Sequence, residues 1–284
     1  MPDRAPLVAG QFYPADPLAL AAEVDTFLNA PAKTLVKKTP LLTLLPHAGY
    51  VFCGSVIGAT LAEVQLPDRL ILLGPNHSGQ GAPLAVWPDG VWQTPLGNVP
   101  VDTALTTALT TAASDAGFRA NTKAHLKEHS LEVLLPFLQR AAPPNLRITP
   151  ICVSCQPDRL EGAAHALASA VRACTGETSG IPHSIGLIVS SDMNHYADKA
   201  TTDTLDNLAL APLLALDPVR LFNTVAENRI SMCGVLPATL GLFACALLGL
   251  TPHTGKARLV RHTTSAEACG DTARVVGYAG VYLS

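Results

Sequence analysis

Short, mostly apolar runs of four or five residues recur along the chain, and three of them stop at short polar turns. Leu41 to Leu45 leads into Pro46-His47-Ala48-Gly49-Tyr50, Leu70 to Leu73 into Gly74-Pro75-Asn76-His77, and Ile185 to Val189 into Ser190-Ser191-Asp192-Met193-Asn194-His195. Such runs predict strands buried on both faces, the pattern of a parallel sheet covered by helices. Ligands of these sheets collect beyond the carboxyl ends of the strands, where loops from distant parts of the chain converge. Three histidine-bearing loops in that position point to a metal or acid/base centre.

Helical spacing alternates with the strands. Asp16 to Leu28 places Leu18, Leu20, Ala21, Val24 and Leu28 at helical intervals, with Pro17 near the start, where a missing amide is harmless. Gly54 to Val64 reads as a second helix. Pro88-Asp89-Gly90 is a turn signal that predicts a hairpin between Ala85-Val86-Trp87 and Gly90-Val91-Trp92. Asp102 is placed to cap a helix reaching about Asp115, and Ser130 one reaching Arg140 that Pro136 kinks or shortens. Leu146 to Val153 predicts a strand and Asp158 to Cys174 a helix. Helices over about 201–216, 218–228 and 235–248 follow, and strands over 258–262 and 275–283 close the chain. The expected architecture is one α/β domain over residues 1–284, with a mixed, mostly parallel sheet sandwiched between helices.

Composition narrows the function classes. Of 284 residues, 48% are hydrophobic and 14% charged, enough to bury a large core and to exclude disorder. A net charge of -3 without a basic cluster beyond Lys37-Lys38 argues against nucleic acid. The N-terminus lacks the features of a secretory signal, and the longest apolar stretch, Val235 to Leu250, is interrupted by Pro237 and Gly241 and falls short of the roughly 20 residues that cross a bilayer. Seven cysteines without disulfide-scaffold spacing fit reduced thiols, so a cytoplasmic protein off the membrane is expected.

The candidate chemistry lies in the loops. Neutral imidazoles of His47 and His77 could share one ion. Asp192 and His195, three residues apart, would face the same way on a helical turn, for ligation or proton transfer, or would serve as a cap and a satisfied histidine. In Glu128-His129-Ser130-Leu131-Glu132, His129 is the preferred general acid/base. Cys233 precedes Gly234 at the start of a long apolar helix, where the dipole favours a thiolate and hence a soft metal ligand. Cys152 and Cys155 form a lone CxxC and read as structural, as does Cys245; His125, His165, His183, His253 and His262 read as solvated or core-satisfied.

Several segments, in order, resemble the Memo family, whose bacterial and archaeal members are also called AmmeMemoRadiSam system protein B. They are Leu7-Val8-Ala9-Gly10-Gln11-Phe12-Tyr13-Pro14, Pro46 to Tyr50, Leu73 to His77, Trp92-Gln93-Thr94-Pro95-Leu96-Gly97, Glu128 to Glu132, Leu135-Pro136-Phe137-Leu138, Ser190 to Tyr196, Cys233-Gly234 and Val275-Val276-Gly277-Tyr278-Ala279. The resemblance implies a fold like that of class III extradiol dioxygenases. It implies His47, His77 and Cys233 as metal ligands, with Asp192 and His195 beside them. Replacing a carboxylate ligand by a thiolate shifts preference toward softer ions, so Fe(II) or copper is the expected cofactor. Leu134 stands where the family commonly has Gln, so a pocket wall formed there would be less polar.

The leading expectation is a metal-binding protein whose site His129, Asp192 and His195 complete, serving redox chemistry or metal handling. The alternatives are an extradiol-type dioxygenase and a non-catalytic module binding a peptide or an anion. The family's name further implies an AMMECR1-like protein and a radical SAM protein as partners.

Overall fold

The structure is a computed structural model and describes residues 3–29, 37–111 and 116–284. Its centre is four parallel strands in the order β1 (Leu42–Leu45), β8 (Gly186–Ser190), β2 (Arg69–Pro75) and β7 (Arg147–Val153). On one flank β11 (Val275–Leu283) runs antiparallel to β1 and pairs in turn with β10 (Ala257–Thr264) and the short β9 (His195–Ala197). On the other, β3 (Leu84–Val86) pairs antiparallel with β7 and parallel with β6 (Phe118–Ala120). The expected mixed α/β sheet between helices is what the chain forms.

Both faces of the central strands are covered, which is why their sequences do not alternate. Ile71 and Leu73 point into a core shared with α3 (Thr103–Thr111), α6 (Leu160–Thr175), α7 (Lys199–Leu214), α8 (Pro218–Glu227) and α9 (Val235–Leu247). Leu70 and Leu72 point the other way, against α1 (Pro17–Leu28), α2 (Tyr50–Ala62) and α5 (Leu135–Ala141). Each such side chain, when fully buried, contributes roughly 1.5–3 kcal/mol. Asp16 caps α1 by accepting from the Ala19 amide at 2.8 Å, with Pro17 at the first helical position as its sequence requires. The apolar stretch beginning at Val235 is the buried α9, and no helix among the described residues is long and apolar enough to cross a membrane.

The hairpin expectation is corrected. Gly90 does turn, at φ +80°, but the strands it joins do not pair. β3 instead takes the free edge of β7, and the Trp87 amide donates to Pro150 O, so tertiary pairing overrides the local turn signal. The hairpin is formed one step later, between β4 (Val91–Thr94) and β5 (Gly97–Pro100). Asp102 precedes α3 and accepts from the Leu105 amide, while the expected extension to Asp115 lies outside the described residues. The helix expected from Ser130 begins at Leu135, because Pro136 belongs in a first turn. Residues 130–134 form a turn, and the Ser130 hydroxyl caps nothing.

The N-terminal segment is tied down by buried charge. The Arg4 guanidinium, 1% exposed, pairs with Glu132 at 2.8 Å, donates to the carbonyls of His125 and Glu128, and lies 4.2 Å from the centre of the Trp92 ring. The Glu132 carboxylate also accepts from the Leu7 and Val8 amides and from the Tyr13 hydroxyl. Every lone pair of the carboxylate thus meets a donor. Removing one partner of such a pair leaves an uncompensated buried charge. Arg4→Met is expected to lower unfolding free energy by about 3–5 kcal/mol in a denaturant titration, with an unchanged midpoint contradicting the assignment.

His125 is fully buried between Trp87 and Trp92, donating from Nε2 to Ala85 O at 3.0 Å, with the Cys152 thiol 3.4 Å from Nδ1. Cys152 and Cys155 are buried, free and part of the packing, as their sequence context indicates. Burial holds His125 neutral, its pKa pushed down to about 3. The unfolded chain takes up this proton near pH 6.5 and the folded one does not, so stability is full above that pH and falls as the medium is acidified toward pH 3. His125→Gln should be less stable at pH 8 yet lose less between pH 7 and 4 than the parent. Equal losses in the two proteins would contradict this.

Candidate metal centre

β1, β8 and β2 are adjacent and in register, with Leu45 opposite Ser190 and Leu73 opposite Val189. Their carboxyl ends therefore deliver His47, Asp192 and His77 to one place. The turn before α5 adds His129, and the loop before α9 adds Cys233. A cavity of about 1070 Å³ opens over them, its wall completed by the N-terminal segment Gly10 to Pro14, the start of α2 and β9, which carries His195 and Tyr196.

Ligand-capable nitrogens of His47, His77 and His129 lie within 4.8 Å of one another. The ring centres of His47 and His77 are 5.4 Å apart, and His129 stacks on His77 at 5.4 Å and 14°. Hydrogen bonds behind two of these rings decide which nitrogen faces the cavity. The Ser190 hydroxyl gives its only proton to Ser130 O at 2.7 Å, so it must accept from His47 Nδ1, also at 2.7 Å. His47 thus carries its proton on Nδ1 and leaves the Nε2 lone pair free, 3.4 Å from Cys233 Sγ. His77 Nδ1 faces Glu128 Oε1 at 3.0 Å, which leaves its Nε2 free in the same way. Ligating imidazoles characteristically donate their other N–H to such partners. His129 differs: its Nδ1 is 3.8 Å from Glu128, and Phe12 packs edge-on against the ring at 4.9 Å.

The electrostatics divide the histidines by role. Burial, followed by the neighbouring His77 and His129, holds His47 well below the ordinary imidazole range. Burial also lowers His129, whereas the hydrogen bond to Glu128 raises His77. Glu128 itself is 1% exposed; burial alone would raise it, but His77 and the amides of Ser130 and His77 outweigh this and hold the carboxyl at about 2. Burial raises Asp192, which accepts from the His47 amide at 2.8 Å.

Two expectations about the loops change. Asp192 and His195 do not share a helical turn: residues 191–194 are irregular and His195 begins β9, held by pairing to β11. Both still line the cavity. Cys233 lines the cavity, but burial and the nearby Asp192 raise its thiol, against the thiolate expected from the helix dipole. The Gly234 amide at the start of α9 is occupied by Ser191 Oγ at 3.0 Å, and a side chain at Gly234 would collide with Ser191. Leu134 is fully buried in the core and lies off the cavity wall, so it does not alter the polarity there.

A second network, absent from the sequence reading, assembles these loops from behind. Asp206 on α7, fully buried, pairs with His262 at 2.8 Å and accepts from the Asn194 amide at 2.8 Å. Asn194 Oδ1 accepts from the Ser231 amide and hydroxyl, and Ser231 in turn accepts from the His195 amide at its hydroxyl and from His195 Nδ1 at its carbonyl. Asp206 presses so closely on β11 that any side chain at Gly277 would overlap its carboxylate. Because the link from Asp206 to Asn194 is a backbone amide, the network positions groups and does not conduct protons. His262 offered no signal in sequence, since its partner lies 56 residues away.

Comparison with known proteins agrees with this arrangement of motifs. A family model described as Memo-like protein matches residues 4–282. The chain is 35% identical to a MEMO1 family protein of Sulfolobus acidocaldarius, with 98% of each chain covered. It is 33% identical to one from Aquifex aeolicus, again with 98% of each covered, and 33% identical to one from Thermotoga maritima, with 99% of each covered. With the family match spanning nearly every residue, the protein belongs to the Memo-like family.

Proposed function

We propose that this is a metal-binding protein of redox or metal-handling function, with iron or copper held by His47, His77 and Cys233. The observation that carries the reading is the convergence of His47 and His77, whose free Nε2 lone pairs are fixed by Ser190 and Glu128 behind the rings. Two imidazoles and a thiolate form a donor set suited to either ion, and the ion would supply one-electron redox or Lewis-acid chemistry. Binding would require loss of the Cys233 proton, which the Asp192 amide, donating to the sulfur at 3.2 Å, is placed to assist.

His129 serves better as a proton carrier than as a fixed ligand. It lacks the close partner that orients His47 and His77, and burial keeps it neutral and able to accept a proton. Asp192 anchors the His47 backbone, and His195, its Nδ1 occupied by Ser231, presents Nε2 to the cavity. A second reading, an extradiol-type dioxygenase, is favoured by one feature: Phe12, Phe52 and Tyr196 wall a cavity that reaches the histidines. Oxygen uptake by iron-loaded protein over a panel of catechols separates the two, and its absence favours the first.

Elemental analysis after anaerobic purification should find iron or copper near one equivalent. His47→Ala, His77→Ala and Cys233→Ser should each lose about tenfold or more of that occupancy, while His129→Ala should keep most of it. An empty parent that takes up neither ion would overturn the proposal.

A further inference from the structure

One backbone feature at the cavity mouth is explained by neither packing nor metal binding. Where β9 pairs with β11, Ala197 lies opposite Val275 and His195 opposite Val276, so Tyr196 is an extra residue with no partner of its own in the ladder. It is a bulge, and its φ of +65° puts it in the left-handed region. Glycine takes that conformation freely, whereas a bulky residue there is strained. Bulges beside functional sites re-aim a side chain. Tyr196 is 65% exposed, so burial of its ring does not offset the strain.

The ring is nonetheless held. Arg274, just before β11, places its guanidinium 4.8 Å from the ring centre, and the His195 ring meets it edge-on at 5.6 Å. His195 is itself fixed, through Nδ1, to the Ser231 carbonyl. Tyr196 lines the cavity together with Val51 and Phe52 at the start of α2, and all three are exposed. His47, Asp192 and Tyr278 line the same cavity and are buried. The exposed, largely apolar side chains form a rim and the buried ones a floor. Tyr196 is the member of that rim whose backbone is strained and whose ring is stacked on a cation.

We propose that Tyr196 sets the width of the cavity mouth. The bulge and Arg274 hold its ring over the approach to Cys233, so that a slender molecule reaches the sulfur and a broad planar one of the same chemistry does not. The discrimination is by shape and not by charge. It rests on the reading of the cavity as the functional site, and it holds with or without an ion.

Cys233 lines the cavity and serves as the reporter. Full-length, metal-free protein is treated with two neutral maleimides, N-ethylmaleimide and N-(1-pyrenyl)maleimide, and labelling of Cys233 is followed by peptide mass spectrometry. Each rate is divided by that of the same reagent with glutathione, which removes the intrinsic reactivity of the maleimide. The raised Cys233 thiol slows both reagents alike and cancels from their ratio. The parent is expected to react at least about tenfold faster with the ethyl than with the pyrenyl reagent. Asparagine tolerates the left-handed region, so Tyr196→Asn removes the ring and keeps the backbone, and it should bring the two rates within about threefold of each other. Tyr196→Phe should behave as the parent. Arg274→Ala, which frees the ring, should raise the pyrenyl rate about two- to fivefold. Cys152 and Cys245, both buried, should stay unlabelled throughout. The proposal is overturned if the parent does not discriminate, if Tyr196→Asn leaves the discrimination intact, or if that variant opens Cys152 and Cys245 along with Cys233. Because the labelling is done without metal, failure of the metal reading leaves this result standing, and the converse holds.

Discussion

Two buried carboxylates, four residues apart on the turn before α5, hold the molecule's working end together. Glu132 faces outward to the N-terminal segment and binds Arg4, the Leu7 and Val8 amides and Tyr13. Glu128 faces the sheet and binds the amide and ring of His77 and the Ser130 amide. Each is stable as an anion in the interior only because its lone pairs are met by donors. One turn thereby fixes a cavity wall, one imidazole and the setting of His129. The segment from Gly10 to Pro14, which the Tyr50 amide also holds by donating to Phe12 O, forms one side of the cavity.

The sheet supplies the rest of the geometry. Since β1, β8 and β2 are neighbours with their carboxyl ends level, His47, Asp192 and His77 converge without long loops. The loops of Asp192 and Cys233 are then locked to each other through Asn194 and Ser231, which hang from Asp206 and His262 behind β11. Serine hydroxyls do the finer work: Ser190 sets the His47 tautomer and Ser191 occupies the first amide of α9. Ser190, Ser191, Asn194 and Asp206, which help to place residues facing the cavity, do not themselves line it.

The strands and most helices were legible in the sequence because burial on both faces writes an apolar run, and because Pro17 marks a first turn; at Pro136 the sequence suggests a kink, whereas that residue sits in the first turn of α5. The convergence of the three histidine loops was legible for the same reason. What escaped was whatever depended on partners far away in the chain. Trp87 stays with the sheet because β7 offers a free edge, which no local signal reports. His195 sits on a strand because β11 pairs with it. The Cys233 thiol is raised because its surroundings are closed, a burial that the dipole argument could not see.

Ser190 leaves His47 Nε2 unprotonated, Glu128 orients the His77 ring through Nδ1, His129 has no comparably close partner, and a thiol lies beside His47 Nε2. The central claim is that sulfur completes the donor set. X-ray absorption of the iron- or copper-loaded protein tests that most directly. The account predicts imidazole nitrogens at about 2.0–2.1 Å together with one sulfur at about 2.3 Å, the sulfur being lost in Cys233→Ser. A shell of nitrogen and oxygen alone, identical in the parent and in Cys233→Ser, would contradict it and leave the three imidazoles as the donor set.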